Sequence, residues 1–186
     1  MAQLKMKYRQ PLPHKEHILP EGYTLCSLET EEDMLGWIQA CDEGLGTGSW
    51  TIEDFYQNML TQPGIEREQI FLVKNPQGKV VATATAWKRN HDQGCLHMVS
   101  ALPESRGLGL SYLLCQKVLD FFLNQGIDDI MLDSDDFRLA ALKVYLMLGF
   151  IPVLNDYDMA DRWKKIFEQL QMTSPVYKVT FQEFQL

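Results

Sequence analysis

Two glycines, Gly107 and Gly109, follow Arg106 at the start of a long apolar helical pattern. The first N–H groups of a helix have no partner inside the helix, and the helix dipole is positive at this end. Because glycine has no Cβ, an anion can come close to these N–H groups. The sequence "RGLGLS" therefore offers a place where a phosphate group could bind.

Two common nucleotide-binding motifs do not fit this stretch. A P-loop ends in Gly-Lys followed by Ser or Thr, and no such ending is present here. The dinucleotide fingerprint needs a third glycine and an early position in the chain, and both are missing. On its own, the glycine pair fits a tight strand-to-helix turn without a ligand at least as well.

The elements around the glycines predict how this stretch is placed. Three apolar or alternating runs, separated by the turn signals "NPQG" and "NHDQG", predict an antiparallel meander of three strands. The pattern after the glycines predicts a helix of about five turns. The segment "DDIMLDS" then predicts a buried strand that is reached by a helical crossover and is parallel to the strand before the glycines.

The remaining patterns predict helices before and after the meander. "YTLCSL" alternates as a strand, and the helices are predicted in "TEEDMLGWIQACDEG" with Thr30 as N-cap, "TIEDFYQNMLTQ", "DFRLAALKVYLMLGF" and "DMADRWKKIFEQL". Residues 150–154 and "SPVYKVTFQEF" predict the last strands. The expected fold is α+β, with a mixed, mostly antiparallel central sheet of about six to seven strands and helices on both faces.

The length of 186 residues suits one domain, so we expect a single domain over residues 1–186. Residues 1–22 contain three prolines and few periodic apolar positions. This composition predicts an N-terminal arm that lies on the domain and is not a core element.

The composition also excludes several classes of partner. The net charge of -8 opposes binding to nucleic acid, because neutralising phosphates takes a basic face. No apolar run is long enough for a membrane span and no secretion signal is seen, so we expect a cytoplasmic protein without a membrane partner. Four scattered cysteines predict free thiols in or near the core and no metal site.

The stretch "VSALPESRGLGLS" resembles the acyl-CoA motif of the GNAT superfamily of N-acetyltransferases. In that family, a strand ending in apolar residues and a proline leads to [QR]-x-x-G-x-[GA] at the start of a long helix. Arg106 and Gly109 match the first two fixed positions, and Ser111 takes the third, where glycine or alanine is usual. The resemblance implies an acyl-CoA N-acyltransferase-like fold, with acetyl-CoA as co-substrate and no metal.

The resemblance also implies which residues hold the coenzyme. The backbone around the glycines would cradle the diphosphate, through Arg106, Gly107, Leu108, Gly109, Leu110 and Ser111. The strand before it, at Val99, Ser100 and Ala101, would splay from its parallel neighbour and offer free backbone groups to pantetheine and the acetyl carbonyl.

The segment "DSDDFRLAALKVYLMLGF" looks like the family's helix and "YxxxGF" segment, which carries a tyrosine acid. Tyr145 falls in that place. The resemblance implies that the Tyr145 phenol protonates the leaving thiolate of CoA. The alternative is that Tyr145 only packs in the core of an amphipathic helix.

Direct transfer also needs a base, because aliphatic amines are mostly ammonium at pH 7. Alternation along "CLHMVS" places Cys95, His97 and Val99 on one face of the strand beside the expected acyl group. We expect His97 to be the base, and a histidine hydrogen-bonded in the sheet is the alternative. The carboxylates of Glu53, Asp54, Asp133, Asp135 and Asp136 could bind a cationic acceptor, and solvated surface carboxylates are the alternative. Trp50 and Trp87 could line the acceptor pocket, and packing in or at the rim of the core is the alternative.

These expectations combine into an acetyl-CoA-dependent N-acetyltransferase. It would move the acetyl group to a primary amine of a small molecule or peptide by direct attack in a ternary complex, without an acyl-enzyme on a cysteine. One rival is a CoA-binding regulatory or assembly module of the same fold that has lost turnover. A dehydrogenase-type domain that binds NAD is a second rival. The oligomeric state stays open, with a homodimer as one option.

Overall fold

The structure is a computed structural model that describes residues 3–9, 17–154 and 156–172. This part of the chain contains seven strands, namely β1 (Leu4–Tyr8), β2 (Thr24–Ser27), β3 (Ile70–Lys74), β4 (Val80–Lys88), β5 (Gln93–Ala101), β6 (Asp129–Ser134) and β7 (Phe150–Val153). It also contains five α-helices, namely α1 (Glu31–Leu45), α2 (Ile52–Phe55), α3 (Leu110–Leu123), α4 (Leu139–Met147) and α5 (Met159–Leu170). The predicted α+β class is confirmed. The predicted strand "SPVYKVTFQEF" lies outside the described residues.

The chain divides into two compact units. The larger unit is residues 15–130, and the smaller unit combines residues 1–14 with residues 131–186. The expectation of a single domain over residues 1–186 stays a prediction.

The sheet of the larger unit has the strand order β2-β3-β4-β5. All three strand pairs in it are antiparallel, so the predicted meander is confirmed. In β3, Ile70 and Leu72 belong to a buried cluster with α1 residues, whereas the ring of Phe71 lies 6.1 Å from that of Phe121 in α3. Since neighbouring residues of a strand point to opposite faces, α1 and α3 cover opposite faces of this sheet.

Helix α1 begins with the capping pattern that the sequence predicts. The Thr30 hydroxyl accepts a hydrogen bond from the N–H of Asp33 at 3.1 Å, and the Asp33 carboxylate accepts one from the N–H of Thr30 at 3.1 Å. The same carboxylate forms an ion pair with Lys74 of β3 at 2.6 Å. The ion pair thus connects the capped start of α1 to β3. Trp37, in the next turn of the helix, is fully buried.

The second predicted helix is shorter in its α-helical part than its pattern indicates. Helix α2 has four residues and continues as a π-helical turn over Tyr56–Leu60. Thr51 and Asp54 cap its start in the same reciprocal way as in α1.

The smaller unit contains a second set of paired strands in the order β6-β1-β7, with β1 antiparallel to both neighbours. The prediction of an N-terminal arm is therefore wrong for residues 4–8. Leu4 and Met6 have no exposed surface and Tyr8 is 6% exposed, so this alternating segment is a core strand. The prolines that indicated an arm follow β1 in the chain, and the strands that pair with β1 lie more than a hundred residues away.

Helix α5 packs in the smaller unit through a buried face that includes Trp163 and Phe167. Arg162 on the same helix donates to the carboxylate of Asp136, with 3.0 Å from Nε to Oδ2. Within the described residues, no helix is long and apolar enough to cross a membrane.

Candidate active site

Strand β5 is interrupted by a bulge in the middle of the candidate site. Thr85 of β4 lies opposite His97, and Thr83 lies opposite Ser100, so β5 has one more residue than β4 over this stretch. Met98 is the extra residue, and its backbone lies in the left-handed region with φ of 49°. As Thr83 and Thr85 point to one face, His97 and Ser100 also share a face, and the alternation predicted for His97 and Val99 does not hold.

The end of β5 is held against the C-terminal half of α1. The Ser100 hydroxyl donates to the carbonyl of Ala40 at 2.6 Å. Gly44 lies so close that a Cβ there would collide with Ser100 Oγ and would lie 3.1 Å from the carbonyl oxygen of Ala101. The segment 99–101 is therefore positioned by a close helix-to-strand contact, which only glycine permits at position 44.

The loop between β5 and α3 presents its backbone to solvent. Residues Pro103–Ser105 form one 3-10 turn, and Arg106 is extended and exposed. Gly107 and Gly109 both lie in the left-handed region, with φ of 82° and 75°. Gly109 is the N-cap of α3, and within the described residues no side chain caps the helix.

This loop fits a diphosphate. The N–H groups at the start of α3 have no capping side chain, and a Cβ at Gly107 would meet no other atom within 4 Å. An anion would satisfy these donors at the positive end of the helix dipole. Arg106, Gly107 and Leu108 are exposed in this loop, Gly109 is partly exposed, and Leu110 and Ser111 begin α3, where Leu110 is buried.

His97 is partly buried beside one aromatic and one basic side chain, Trp87 and Arg89. The centroid of its ring lies 5.0 Å from that of Trp87. The Arg89 guanidinium lies over the Trp87 ring, at 3.4 Å from the ring centroid. Burial, and then the positive charge of Arg89, lower the pKa of His97 to about 4. At pH 7 the imidazole is therefore neutral, as a proton acceptor must be.

Thr85 is a neighbour of His97 that the sequence analysis missed. It is fully buried and lies directly opposite His97 in the β4–β5 pair. Its hydroxyl has no hydrogen-bond partner within the described part of the chain. Because a buried hydroxyl is normally hydrogen-bonded, a water molecule is the partner expected for this one.

Tyr145 lies on α4 in the smaller unit. It is 6% exposed, and its ring makes an edge contact with Phe150 at 6.1 Å. Tyr145 and Phe150 are the first and last residues of the "YxxxGF" segment, so this contact links α4 to the start of β7.

The other candidates have structural partners within their own units. Three aspartates pair with cations, namely Asp133 with Lys5, Asp135 with Arg138 and Asp136 with Arg162. Asp54 caps α2, and Glu53 accepts from Gln57. The Trp87 indole donates to the carbonyl of Pro63 at 2.9 Å, and Trp50 packs on Trp37 at 5.8 Å.

All four cysteines are free, as the sequence predicts. Cys41, Cys95 and Cys115 are buried, and burial raises the pKa of Cys41 and of Cys115 far above the usual thiol value. The thiols of Cys41 and Cys115 therefore stay protonated at neutral pH and are poor nucleophiles.

A second residue that sequence reasoning missed is His17. Its Nδ1 lies 2.7 Å from the position that a Cβ on Gly109 would take, and its ring stacks on Tyr112. No motif marks His17, because it lies about ninety residues before the glycines.

Comparison with known proteins agrees with this geometry. The model of the acetyltransferase (GNAT) family matches residues 31–150. This range includes helix α1, the meander, the glycine loop and Tyr145. The mycothiol acetyltransferase of Thermobispora bispora is 32% identical over 152 residues, covering 75% of this chain and 50% of that protein. The one from Thermomonospora curvata is 27% identical, covering 78% of this chain and 50% of its own length. The chain thus spans about half the length of the curated relatives it matches.

Solved structures show the same fold. The GCN5-related N-acetyltransferase of Sphaerobacter thermophilus aligns with a TM-score of 0.64 and 22% identity, over 82% of this chain and 48% of that one. The ribosomal-protein-S18-alanine N-acetyltransferase of Escherichia coli aligns with a TM-score of 0.55 and 22% identity, over 68% of this chain and 76% of that one. The family expected from the glycine motif is confirmed, and the chain belongs to the GNAT family of acetyltransferases.

Proposed function

We propose that this protein is an N-acetyltransferase that moves the acetyl group of acetyl-CoA to a primary amine by direct attack in a ternary complex. The observation that carries the proposal is the uncapped start of α3, where two left-handed glycines expose the backbone directly after the bulged strand β5. The family match over residues 31–150 supports the same donor.

The coenzyme is bound by the chain from Val99 to Ser111. The N–H groups of the loop around Gly107 and Gly109 bind the diphosphate, and the Arg106 guanidinium adds a positive charge beside it. Backbone groups at Val99, Ser100 and Ala101 receive the pantetheine arm and the acetyl carbonyl. Beyond the bulge at Met98, Ser100 and Ala101 pair again with Thr83 and Ala82 of β4, which holds this segment of β5 in position.

His97 takes the proton that the acceptor ammonium must lose before attack. Its imidazole is neutral at pH 7, and the Thr85 hydroxyl beside it can hold a water molecule that relays the proton. An imidazole with a pKa of about 4 is a weak base, so the proton passes on to solvent and does not stay on the ring.

Tyr145 supplies the proton at the other end of the reaction. As the amine nitrogen forms its bond to the carbonyl carbon, the carbon–sulfur bond breaks and the departing thiolate takes the phenolic proton. The proton that the nitrogen then loses on becoming an amide returns to the phenolate. The position of Tyr145 in the "YxxxGF" segment of α4 supports this role. Because the buried thiols Cys41 and Cys115 have raised pKa values, no acyl-enzyme on these cysteines is expected.

The acceptor is a small-molecule or peptide amine. Two relatives are mycothiol acetyltransferases, so a mycothiol-related amine is the first acceptor to test. The acidic composition favours a cationic acceptor over a nucleic acid. Four free cysteines suit a reducing compartment, which supports the cytoplasm as the location.

The test is a screen of primary amines with acetyl-CoA, in which release of the CoA thiol is followed and the acetylated amine is identified by mass spectrometry. At least one amine should give thiol release in stoichiometric agreement with product. Binding of CoA without turnover on any amine would instead support a regulatory or assembly module. A lack of CoA binding, together with a rise in melting temperature on adding NAD, would overturn the proposal altogether.

A further inference from the structure

His17 lies directly against the loop that is proposed to bind the diphosphate. The Nδ1 atom is 2.7 Å, and the Cε1 atom 3.5 Å, from the position of a Cβ on Gly109. A nitrogen-bearing edge of the imidazole therefore faces the N-cap of α3. His17 belongs to the same compact unit as this helix.

The orientation of His17 is set by the first turn of α3. Its ring stacks on that of Tyr112, with 4.2 Å between the centroids and 29° between the planes. Tyr112 is only 2% exposed, so it is a rigid platform for the imidazole. Stacking occupies a face of the imidazole and leaves its nitrogen atoms free to form hydrogen bonds at the edge.

The loop has little positive charge of its own. From position 106 to position 112 the sequence is "RGLGLSY", in which Arg106 is the only residue with a formal charge. A diphosphate carries two negative charges, and hydrogen bonds from backbone N–H groups satisfy its oxygens without neutralising them. An imidazole beside Gly109 adds a second side-chain donor to that of Arg106.

We propose that His17 is a coenzyme-binding residue, whose imidazole donates a hydrogen bond to the diphosphate at the start of α3. This inference rests on the proposed function and adds a residue from outside the glycine motif to its binding site. Glycine at position 109 allows the left-handed backbone there. It also leaves room for His17, because a Cβ at this position would displace the imidazole.

The test compares donors that differ in one group. His17→Ala is assayed with acetyl-CoA, with acetyl-dephospho-CoA, which lacks the 3′-phosphate, and with S-acetylpantetheine, which lacks the diphosphate together with the adenosine. Loss of a charge-assisted hydrogen bond should raise KM about tenfold for both diphosphate-containing donors. The kcat/KM for S-acetylpantetheine should stay as in the wild type.

A role in packing alone predicts an equal loss with all three donors, and this result would overturn the inference. A loss with acetyl-CoA but not with acetyl-dephospho-CoA would overturn it as well, since the contact would then be to the 3′-phosphate. His17→Gln keeps a donor at the same edge and should recover part of the affinity. His91→Ala is the matched control, because the His91 side chain is 90% exposed on the β4–β5 turn and should leave all three donors unaffected.

Calorimetric titration with CoA, dephospho-CoA and pantetheine gives the same comparison without turnover. If the wild type binds none of them, the proposed function fails. If the wild type binds CoA and His17→Ala binds it equally well, only the role of His17 is refuted. Melting curves of each variant show whether a lost affinity comes from unfolding.

Discussion

His97 and Ser100 point to the same face of β5, although a regular strand would place residues three apart on opposite faces. The extra residue at Met98 causes this, and it brings the imidazole and the Ser100 hydroxyl to the side of the sheet that α1 covers. One bulge thus sets the orientation of the candidate base and of the hydroxyl that holds the proposed acyl-binding segment against α1.

The first prediction concerns the close contact between α1 and β5. Gly44→Ala should lower the free energy of unfolding by about 1–3 kcal/mol, because the new methyl group collides with Ser100 Oγ and crowds Ala101. Urea denaturation measures the change. Adding Ser100→Ala should recover part of the loss, since it removes the atom nearest to the methyl group. If the double variant is as unstable as the two single losses added together, the collision is not the cause.

The second prediction concerns the titration of His97. NMR of the imidazole should give a midpoint near the pKa of about 4, and Arg89→Ala should raise it towards the ordinary value of 6.5, since a repelling charge is removed. Burial remains in that variant, so the midpoint should stay below 6.5. An unchanged midpoint in Arg89→Ala would refute the electrostatic contribution of this arginine.

The same pKa predicts how stability depends on pH. Between pH 6.5 and about 4, His97 takes up a proton in the unfolded chain but not in the folded one, so its contribution to stability falls as the pH falls through this window. His97→Gln should lose less stability than the wild type between pH 7 and pH 4.5. Unfolding curves at both pH values give the comparison, and parallel losses in the two proteins would contradict it.

The third prediction tests the proposed acid. Tyr145→Phe should lower kcat by about a hundredfold and leave KM for acetyl-CoA within a few-fold of the wild type, because only the hydroxyl that would donate the proton is removed. The ring contact with Phe150 is kept, so the melting temperature should change little. Tyr157→Phe serves as the control, since Tyr157 is 95% exposed in the same unit. Normal turnover in Tyr145→Phe would exclude the role.

The fourth prediction concerns the ion pair at the start of α1. Burial by itself would raise the pKa of Asp33, but hydrogen bonds from Lys74 and from the N–H groups of Thr30 and Glu29 hold it below the usual value. Asp33→Asn should lower the free energy of unfolding by about 1–3 kcal/mol at pH 7, because the ion pair with the partly exposed Lys74 is lost.

The pH dependence of this contribution has a defined sign. The Asp33 carboxylate stabilises the fold fully above its unfolded pKa near 3.8, and this stabilisation is lost as the pH falls through the lower pKa of the folded state. The difference between the wild type and Asp33→Asn should therefore shrink below pH 3.8. A difference that is constant from pH 7 to pH 3 would show that the charge of Asp33 is not what stabilises α1.

Local patterns were enough to predict the scaffold of the site. The "NPQG" and "NHDQG" turns, the Thr30 cap and the apolar stripe of α3 each depend on residues close together in the chain. The exposed amides at Gly107 and Gly109 also follow from local chemistry, since both glycines have positive φ at a helix start. The family match over residues 31–150 confirmed the identity that this motif indicated.

Features that depend on distant pairing were not visible in the sequence. The segment 4–8 looked like part of an arm, yet it is a core strand, because its partners β6 and β7 come from the other end of the chain. The bulge at Met98 depends on the register between β4 and β5, and the low pKa of His97 depends on burial and on Arg89 across the same pair. The contact of His17 with Gly109 likewise joins residues far apart in sequence. The sequence by itself determined the glycine turn and the family, because both rest on residues that are neighbours in the chain. Tertiary structure decided which face of β5 His97 occupies, how far it is buried and which charge lies near it, because these depend on distant segments packing together.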